Sequence, residues 1–308
     1  MIPRALRTPF AAALLAACSA APLRPAPAGS PSTAFEAEVR DAIRRDAGDS
    51  ATVEVAFRDL GSRDSLLVGA HEQMHAASTM KVAVMLQLFR LSEAGALRMD
   101  DSVPIVNAFR SIADGSPYTL SPADDSDSTL YLRVGTRATV RELTGLMITR
   151  SSNLATNLLI DRAGPERIRA TLAGLGASEL HVLRGVEDNV AFHAGLNNTT
   201  SAYGLMKLLE AIAAGRAASP ESTREMLEIL GRQEFREMIP AGVPAGVRVA
   251  NKTGSITGIH HDAAIVFPNG RAPYVLVVLT RGFQGDSAAA RTGRDVSRIV
   301  WRHVTGER

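Results

Sequence analysis

One cysteine occurs in 308 residues, so no disulfide can form within the chain. Aromatic residues make up only 5% and tryptophan occurs once. Apolar content is nonetheless ordinary, and the length suits one large domain, or two smaller ones sharing a cleft, with a sizeable core that needs no staples. Charge of either sign is scarce in net terms: the formal balance is +2, and Arg4 and Arg7 account for it. No basic block and no basic stripe studded with aromatics occurs, which argues against a nucleic-acid partner. The sequence contains no internal repeat.

The position of the lone cysteine is informative. Residues 1–17 place Arg4 and Arg7 ahead of a short apolar segment, Phe10-Ala11-Ala12-Ala13-Leu14-Leu15-Ala16-Ala17. That is the pattern of an export signal, and it is too short to span a membrane. Leu15-Ala16-Ala17-Cys18 resembles the lipobox of bacterial lipoproteins, which implies a lipidated Cys18 as the new N-terminus. The alternative is simple cleavage nearby at an Ala-x-Ala type site, with release. Residues 18–34 form a tether with four prolines between Pro22 and Pro31, outside any fold. Contact with a membrane is thus expected only through an N-terminal lipid, in a periplasmic or secreted, otherwise monomeric protein.

The folded part, residues 35–308, has strands at both ends and helices between. Phe35 to Ala47 has helical spacing. Thr52 to Leu60 and Ser65 to Val68 read as a hairpin around Gly61-Ser62-Arg63-Asp64. Val140–Ile148, Leu154–Ile160, Pro165–Leu175, Thr200–Ala214 and Pro220–Leu230 read as helices. Asn107–Asp127 and Arg184–Asn198 have no period, and long irregular segments inside compact domains often carry function. Val247–Ala250, Asp262–Phe267 and Tyr274–Leu279 return as strands, followed by a helix over about Ala288–His303. The expected class is α/β of the α+β type: an antiparallel sheet built from both chain ends (35–90 and 231–308) and covered by helices, beside an all-helical insert (91–230).

The chain is organised around His75-Ala76-Ala77-Ser78-Thr79-Met80-Lys81 and the apolar run that follows it to Phe89. This run contains no Gly or Pro and is apolar on nearly every face, as in a helix buried all round. Ser78 falls at its start, and Lys81 lies one turn later on the same face. A lysine at the mouth of a buried helix is costly unless it has a purpose. A partly desolvated lysine can serve as the base that activates a serine hydroxyl. The helix N-terminus would also favour negative charge on anything bound there. Taken alone, S-x-x-K is common, and an N-capping serine with an incidental lysine explains it equally well.

Two more motifs change that balance. Ser151-Ser152-Asn153 interrupts two helical segments, and Lys252-Thr253-Gly254-Ser255 ends a strand that a substrate backbone could approach. Each is weak by itself. In this order and at these separations, S-x-x-K, S-x-N and K-T-G resemble the serine β-lactamases and penicillin-binding proteins, class A β-lactamases best. Val140-Arg141-Glu142-Leu143, Asn198-Thr199-Thr200 and Asp262 fall in similar stretches of that family.

The resemblance implies an acyl-enzyme formed on Ser78, with Lys81 sharing its proton and Ser151 carrying a proton to the leaving nitrogen. It implies Asn153 on the substrate amide, Lys252 steadying Ser151 and attracting the substrate carboxylate, and Thr253 bonded to that carboxylate. The backbone N–H groups of Ser78 and Ser255 would form the oxyanion hole. No metal or other cofactor is implied, and His260-His261-Asp262 reads as a structural, strand-side turn. Two departures stand out. Ser152 replaces the Asp usual in S-D-N. The loop glutamate expected to deacylate is Glu187, one position late after Arg184, with Asp188 beside it as the other candidate and Ala191 where an Asn is usual. Gly185 could absorb the offset, or Glu187 could simply pair with Arg184. Tyr118 is a candidate wall of the cleft. The expected activity is hydrolysis of the β-lactam amide of a small-molecule substrate. The alternatives are a D,D-peptidase or esterase acting on peptidoglycan stem peptides, and a penicillin-binding sensor lipoprotein that does not turn over.

Overall fold

A computed structural model describes Met1 and residues 33–48 and 50–307. Cys18, the signal segment and nearly all of the tether lie outside the described residues. Elements follow in the order α1 (Thr33–Ala47), β1 (Thr52–Asp59), β2 (Ser65–Val68), β3 (Met74–His75), α2 (Lys81–Glu93), β4 (Ser102–Pro104), β5 (Phe109–Arg110) and β6 (Pro117–Tyr118). Next come β7 (Arg137–Thr139), α3 (Val140–Thr149), α4 (Asn153–Ala163), α5 (Pro165–Gly174), α6 (Asn189–His193), β8 (Thr199–Thr200), α7 (Ala202–Ala213) and α8 (Pro220–Gly231). The chain ends with β9 (Arg248–Ile256), β10 (Ile259–Phe267), β11 (Tyr274–Arg281) and α9 (Asp286–Thr305).

The main sheet has the order β2-β1-β11-β10-β9, and all its pairings are antiparallel. Both faces are buried, which is why β11 reads Tyr-Val-Leu-Val-Val-Leu without alternation. Strand periodicity still sorts the side chains. Val275, Val277 and Leu279 join a core with α2, α4 and α7. Tyr274, Leu276 and Val278 join a second core with α1 and α9. The α2 helix lies in the first core, with every residue from Lys81 to Phe89 buried; all but Lys81 and Gln87 are apolar, and Gln87 Oε1 accepts from Thr171 Oγ1.

Some boundaries differ from those read in the sequence. β9 and β10 run together into a hairpin that turns at Thr257 and Gly258, with Gly258 at φ 71°. Lys252-Thr253-Gly254 therefore lies inside a strand rather than at its end, and His260-His261-Asp262 lies in β10 rather than in a turn. The helical insert also carries short ladders, β4 with β7 and β5 with β6, whose two- and three-residue strands are too brief to leave a period in the sequence. Asn107–Asp127 is thus partly a hairpin, and α6 occupies part of the second irregular segment.

Candidate active site

Ser78 sits in a single 3₁₀ turn, Ala77–Met80, immediately before α2. It does not cap α2: the cap position is Met80, which makes no side-chain cap bond. The turn is strained at Ala77, a non-glycine with φ 45°, and strain of this kind persists only where the surroundings enforce it. Here Ala77 N donates to His75 Nδ1 at 3.0 Å, Ala76 N donates to Asn198 O at 2.9 Å, and Thr79 Oγ1 donates to Ala76 O at 2.6 Å. His75 is in turn fixed by His261, whose Nδ1 accepts from Thr280 N and whose Nε2 faces His75 O at 3.0 Å. Burial keeps the His261 imidazole neutral down to about 4, so its role is structural. β9 presses against the same turn. A Cβ on Gly254 would lie 2.9 Å from Ser78 N and 3.0 Å from Thr79 N, so this position accepts only glycine without displacement.

Two lysines meet on one hydroxyl. Lys81 Nζ, fully buried, donates to Ser151 O at 2.7 Å, to Asn153 Oδ1 at 2.9 Å and to Ser151 Oγ at 3.3 Å. Lys252 Nζ, also fully buried, donates to the same Ser151 Oγ at 3.0 Å and to Thr253 O at 2.8 Å. Ser151 reaches between them from a left-handed backbone, φ 58°. Burial lowers the Lys81 ammonium to about 7, although Asp125 and Glu187 oppose the shift. Lys252 is lowered well below the lysine range by burial and then by repulsion from Lys81. A pair of this kind favours one neutral amine near neutral pH, and a neutral amine can take a proton from a serine.

Glu187 joins the network through Asn153. Asn153 Nδ2 donates to Glu187 Oε1 at 3.1 Å, and Ser121 N donates to Oε2 at 3.4 Å. The carboxyl is half-buried, and desolvation raises its pKa against these two hydrogen bonds. The one-residue offset is not absorbed at Gly185. Glu187 itself takes the left-handed conformation, φ 61°. Gly185 is needed for close approach, since a Cβ there would lie 2.7 Å from Tyr118 Oη and 2.9 Å from Asn157 Oδ1. Nor does Glu187 pair with Arg184. The guanidinium donates to Leu196 O, Gly185 O and Asn197 Oδ1, stapling the loop to itself.

Two residues important to this arrangement, Asp125 and Asn157, were given no role by the sequence motifs, and a third, Asp188, proves structural. Asp125 stands in for the aspartate missing at Ser152. Its carboxylate accepts from Asn153 N with both oxygens at 2.9 Å, from Leu154 N at 2.9 Å, from Asp127 N at 3.0 Å and from Tyr131 Oη at 2.9 Å. Ser152 Oγ accepts from Ala155 N and Ser152 O from Thr156 N, so all four leading N–H groups of α4 are satisfied. Asn157 grips the Glu187 loop by both ends of its amide, on Val186 N at 2.6 Å and Val186 O at 2.9 Å. Asp188, almost fully buried, accepts from Ile112 N and Ala191 N, which commits it to structure. Tyr118 lies behind this loop with its hydroxyl on Asn157 and does not wall the cleft. The long loop reaches the cleft through Asp124 and Ser126 instead.

The cleft holds about 520 Å³ between Ser78, Asn153, Glu187, Phe192, Ser255 and Ile256. A smaller pocket continues past Ser78 and Ser151 to Thr253, Ser255 and His260. Among the described residues, no three His, Cys, Asp or Glu side chains are grouped to hold a metal ion, and no helix is long and apolar enough to cross a membrane.

The sequence profile described as "Beta-lactamase enzyme family" matches residues 34–304. The chain is 30% identical over 259 residues to β-lactamase AST-1 of Nocardia asteroides, covering 78% of this chain and 84% of that protein. It is 29% identical over 244 residues to the carbapenem-hydrolyzing β-lactamase KPC of Klebsiella oxytoca, covering 78% of each. Among solved structures it is similar to a variant of PBP-A in its acyl-enzyme complex with penicillin G, at 25% identity and a TM-score of 0.76, covering 91% of this chain and 99% of that one. An ancestral class A β-lactamase aligns at 25% identity and a TM-score of 0.74, covering 87% and 99%.

Proposed function

The chain belongs to the β-lactamase enzyme family, and from that premise we propose how this serine β-lactamase works. Ser78 Oγ attacks the lactam carbonyl as Lys81, in its neutral form, takes the hydroxyl proton. The backbone N–H groups of Ser78 and Ser255 stabilise the oxyanion. The C–N bond breaks, and the leaving nitrogen receives the proton of Ser151 Oγ, which is restored through the lysines that hold it. An ester on Ser78 remains. Glu187 then takes a proton from a water molecule that attacks this ester, and Ser78 leaves with a proton and is regenerated. Asn153, already bridging Lys81 and Glu187, holds the acyl amide. Thr253 and Lys252 receive the substrate carboxylate.

The observation that carries this reading is Ser151 Oγ held by two buried lysines beside Ser78, with Glu187 joined to the same network through Asn153. It is tested by nitrocefin hydrolysis with intact-mass analysis. Steady turnover is expected in the wild type, with no adduct and no turnover in Ser78→Ala, whose stability should change by less than about 0.5 kcal/mol because Ser78 caps nothing. A labelled Ser78→Ala protein would refute the assignment. The likeness to PBP-A supports a second reading, a penicillin-binding protein that deacylates slowly, which a long-lived wild-type adduct would favour.

The leader before Cys18 supports export, and Leu15-Ala16-Ala17-Cys18 supports a lipid anchor on Cys18. Each buried methylene contributes about 0.8 kcal/mol to such an anchor. Palmitate labelling of the wild type, lost in Cys18→Ala, is the expected result. An unlabelled wild type would show plain secretion.

A further inference from the structure

The end of the main sheet away from the cleft carries a basic hollow that the reaction does not use. A volume of about 500 Å³ opens between the last residues of β1, the turn that follows and α7. Four cations, Arg58, Arg63, Lys207 and Arg216, line it against two acids, Asp59 and Glu210. Both acids are committed. Asp59 accepts from Gly61 N at 2.7 Å and from Ser62 Oγ at 2.9 Å, which shapes the turn. Glu210 lies between Lys207 Nζ at 2.8 Å and Arg216 Nη2 at 3.3 Å. Arg58 donates from Nη1 to Arg63 O at 3.0 Å and leaves Nε without a partner. A guanidinium with donors left over, among surplus cations, suits the oxygens of a phosphate.

The position of the hollow identifies the source of that phosphate. The chain enters the fold at the same end. Phe35, in the first turn of α1, stacks on His303 with ring centroids 3.8 Å apart. His303 pairs in turn with Asp64, in the turn that carries Arg63. Cys18 stands fifteen positions before Thr33, a span of at most about 50 Å even at full extension. A lipid on Cys18 therefore keeps this end within reach of the bilayer.

The cleft lies toward the other end of the sheet. Thr52 pairs with Arg281 and Arg281 with Ile259, beside the rim formed by Ser255 to Thr257. Asp59, at the hollow, pairs with Tyr274. Seven strand steps of about 3.3 Å, roughly 23 Å in all, separate the two levels.

We propose that this hollow binds the phosphate headgroup of an anionic phospholipid, docking the enzyme on the membrane with its cleft turned away from the bilayer. An N-terminal lipid alone limits distance, whereas a basic site at headgroup level also sets orientation. The inference is independent of the chemistry read at Ser78.

The full chain carrying Cys18→Ala, which has no thiol to lipidate, is the protein to test. It is sedimented with vesicles of phosphatidylcholine, alone or mixed with phosphatidylglycerol. Partition into the mixed vesicles should be greater by about tenfold or more at low salt, and salt should weaken it. Each cation at an anionic surface contributes roughly fivefold, so Arg58→Gln should lose about fivefold and Lys207→Gln with Arg216→Gln about twentyfold. Arg224→Gln with Arg232→Gln removes the same charge around α8. That pair should change partition by less than about twofold, because charges beyond a Debye length are screened. Arg4 and Arg7 stay in every variant and cannot produce these differences. Trp301, the sole tryptophan, is two residues from His303, so a spin label on the lipid headgroup should quench its fluorescence in the bound protein.

Equal partition into both kinds of vesicle overturns the inference, as does an equal loss in the α8 pair or an unquenched Trp301 in bound protein. Circular dichroism checks each variant, and if Arg58→Gln does not fold, the Lys207 and Arg216 pair decides. If calorimetry shows inorganic phosphate binding that is lost in these variants, while mixed vesicles are ignored, the ligand is a free anion and the headgroup is refuted.

Discussion

Asp125→Ala is the substitution that tests the architecture of the site most severely. The carboxylate is 8% exposed and accepts from three backbone N–H groups and the Tyr131 hydroxyl. Two of those N–H groups open α4, where a negative charge also interacts favourably with the helix dipole. Hydrogen bonds to a charged acceptor contribute about 1.5–3 kcal/mol each, but they are not additive and water can enter the space left by the side chain. A loss of roughly 3–5 kcal/mol follows, the scale of breaking a buried charged network. At about 2–4 °C per kcal/mol for a chain of this order of size, Tm should fall by roughly 6–20 °C. Asp125→Asn keeps one acceptor oxygen and should recover about half of that. Ser152→Ala removes one neutral cap bond, from Ala155 N at 3.2 Å, and should cost only about 1 kcal/mol. Calorimetry, with circular dichroism and Trp301 fluorescence to check that one transition is followed, measures all three. Because Asn153 is hung from Asp125, turnover should fall in Asp125→Ala even at temperatures where the protein is folded. A Tm loss smaller in Asp125→Ala than in Ser152→Ala would refute the assignment of the brace to Asp125.

Three further outcomes follow from the same geometry. In Glu187→Gln the acyl adduct should accumulate, and turnover should fall by about a hundredfold or more, the scale of losing a general base. Unchanged stopped-flow kinetics would remove Glu187 from deacylation, and the structural bonds of Asp188 leave it unsuited to replace Glu187. The acylation rate should rise with pH through about 7 and level off above, because Lys81 is lowered to about 7 and only its neutral form accepts the Ser78 proton. A rate constant across pH 5–9 would exclude Lys81 as the base. In the same experiments deacylation should weaken on the acid side, since Glu187 must be ionised to act and burial raises its pKa.

What the sequence made legible is what physics writes locally. The nearly continuous apolarity of residues 82–89, broken only by Gln87, announces a helix buried on every side, and the three motifs place Ser78, Ser151, Asn153 and Lys252 at one site, where the structure brings them together. The unread part depends on contacts between distant segments. Asp125 replaces a brace from 27 positions upstream of Ser152, inside a loop with no period, so nothing in its neighbourhood betrays that its partners are the first N–H groups of α4. The shifted Glu187 shows the same limit. Counting from Arg184 suggests a flexible glycine as the adjustment, whereas Gly185 is tight against Tyr118 and Asn157 and the backbone turns left-handed at Glu187 itself. A left-handed glutamate costs of order 1 kcal/mol or more, and the loop sustains it because Asn157, Arg184, Asn198 and Asp188 fix the backbone on both sides of it. The position of the carboxylate is therefore set by the loop's hydrogen bonds rather than by its place in the motif. A one-residue displacement in sequence still leaves Oε1 within 3.1 Å of Asn153.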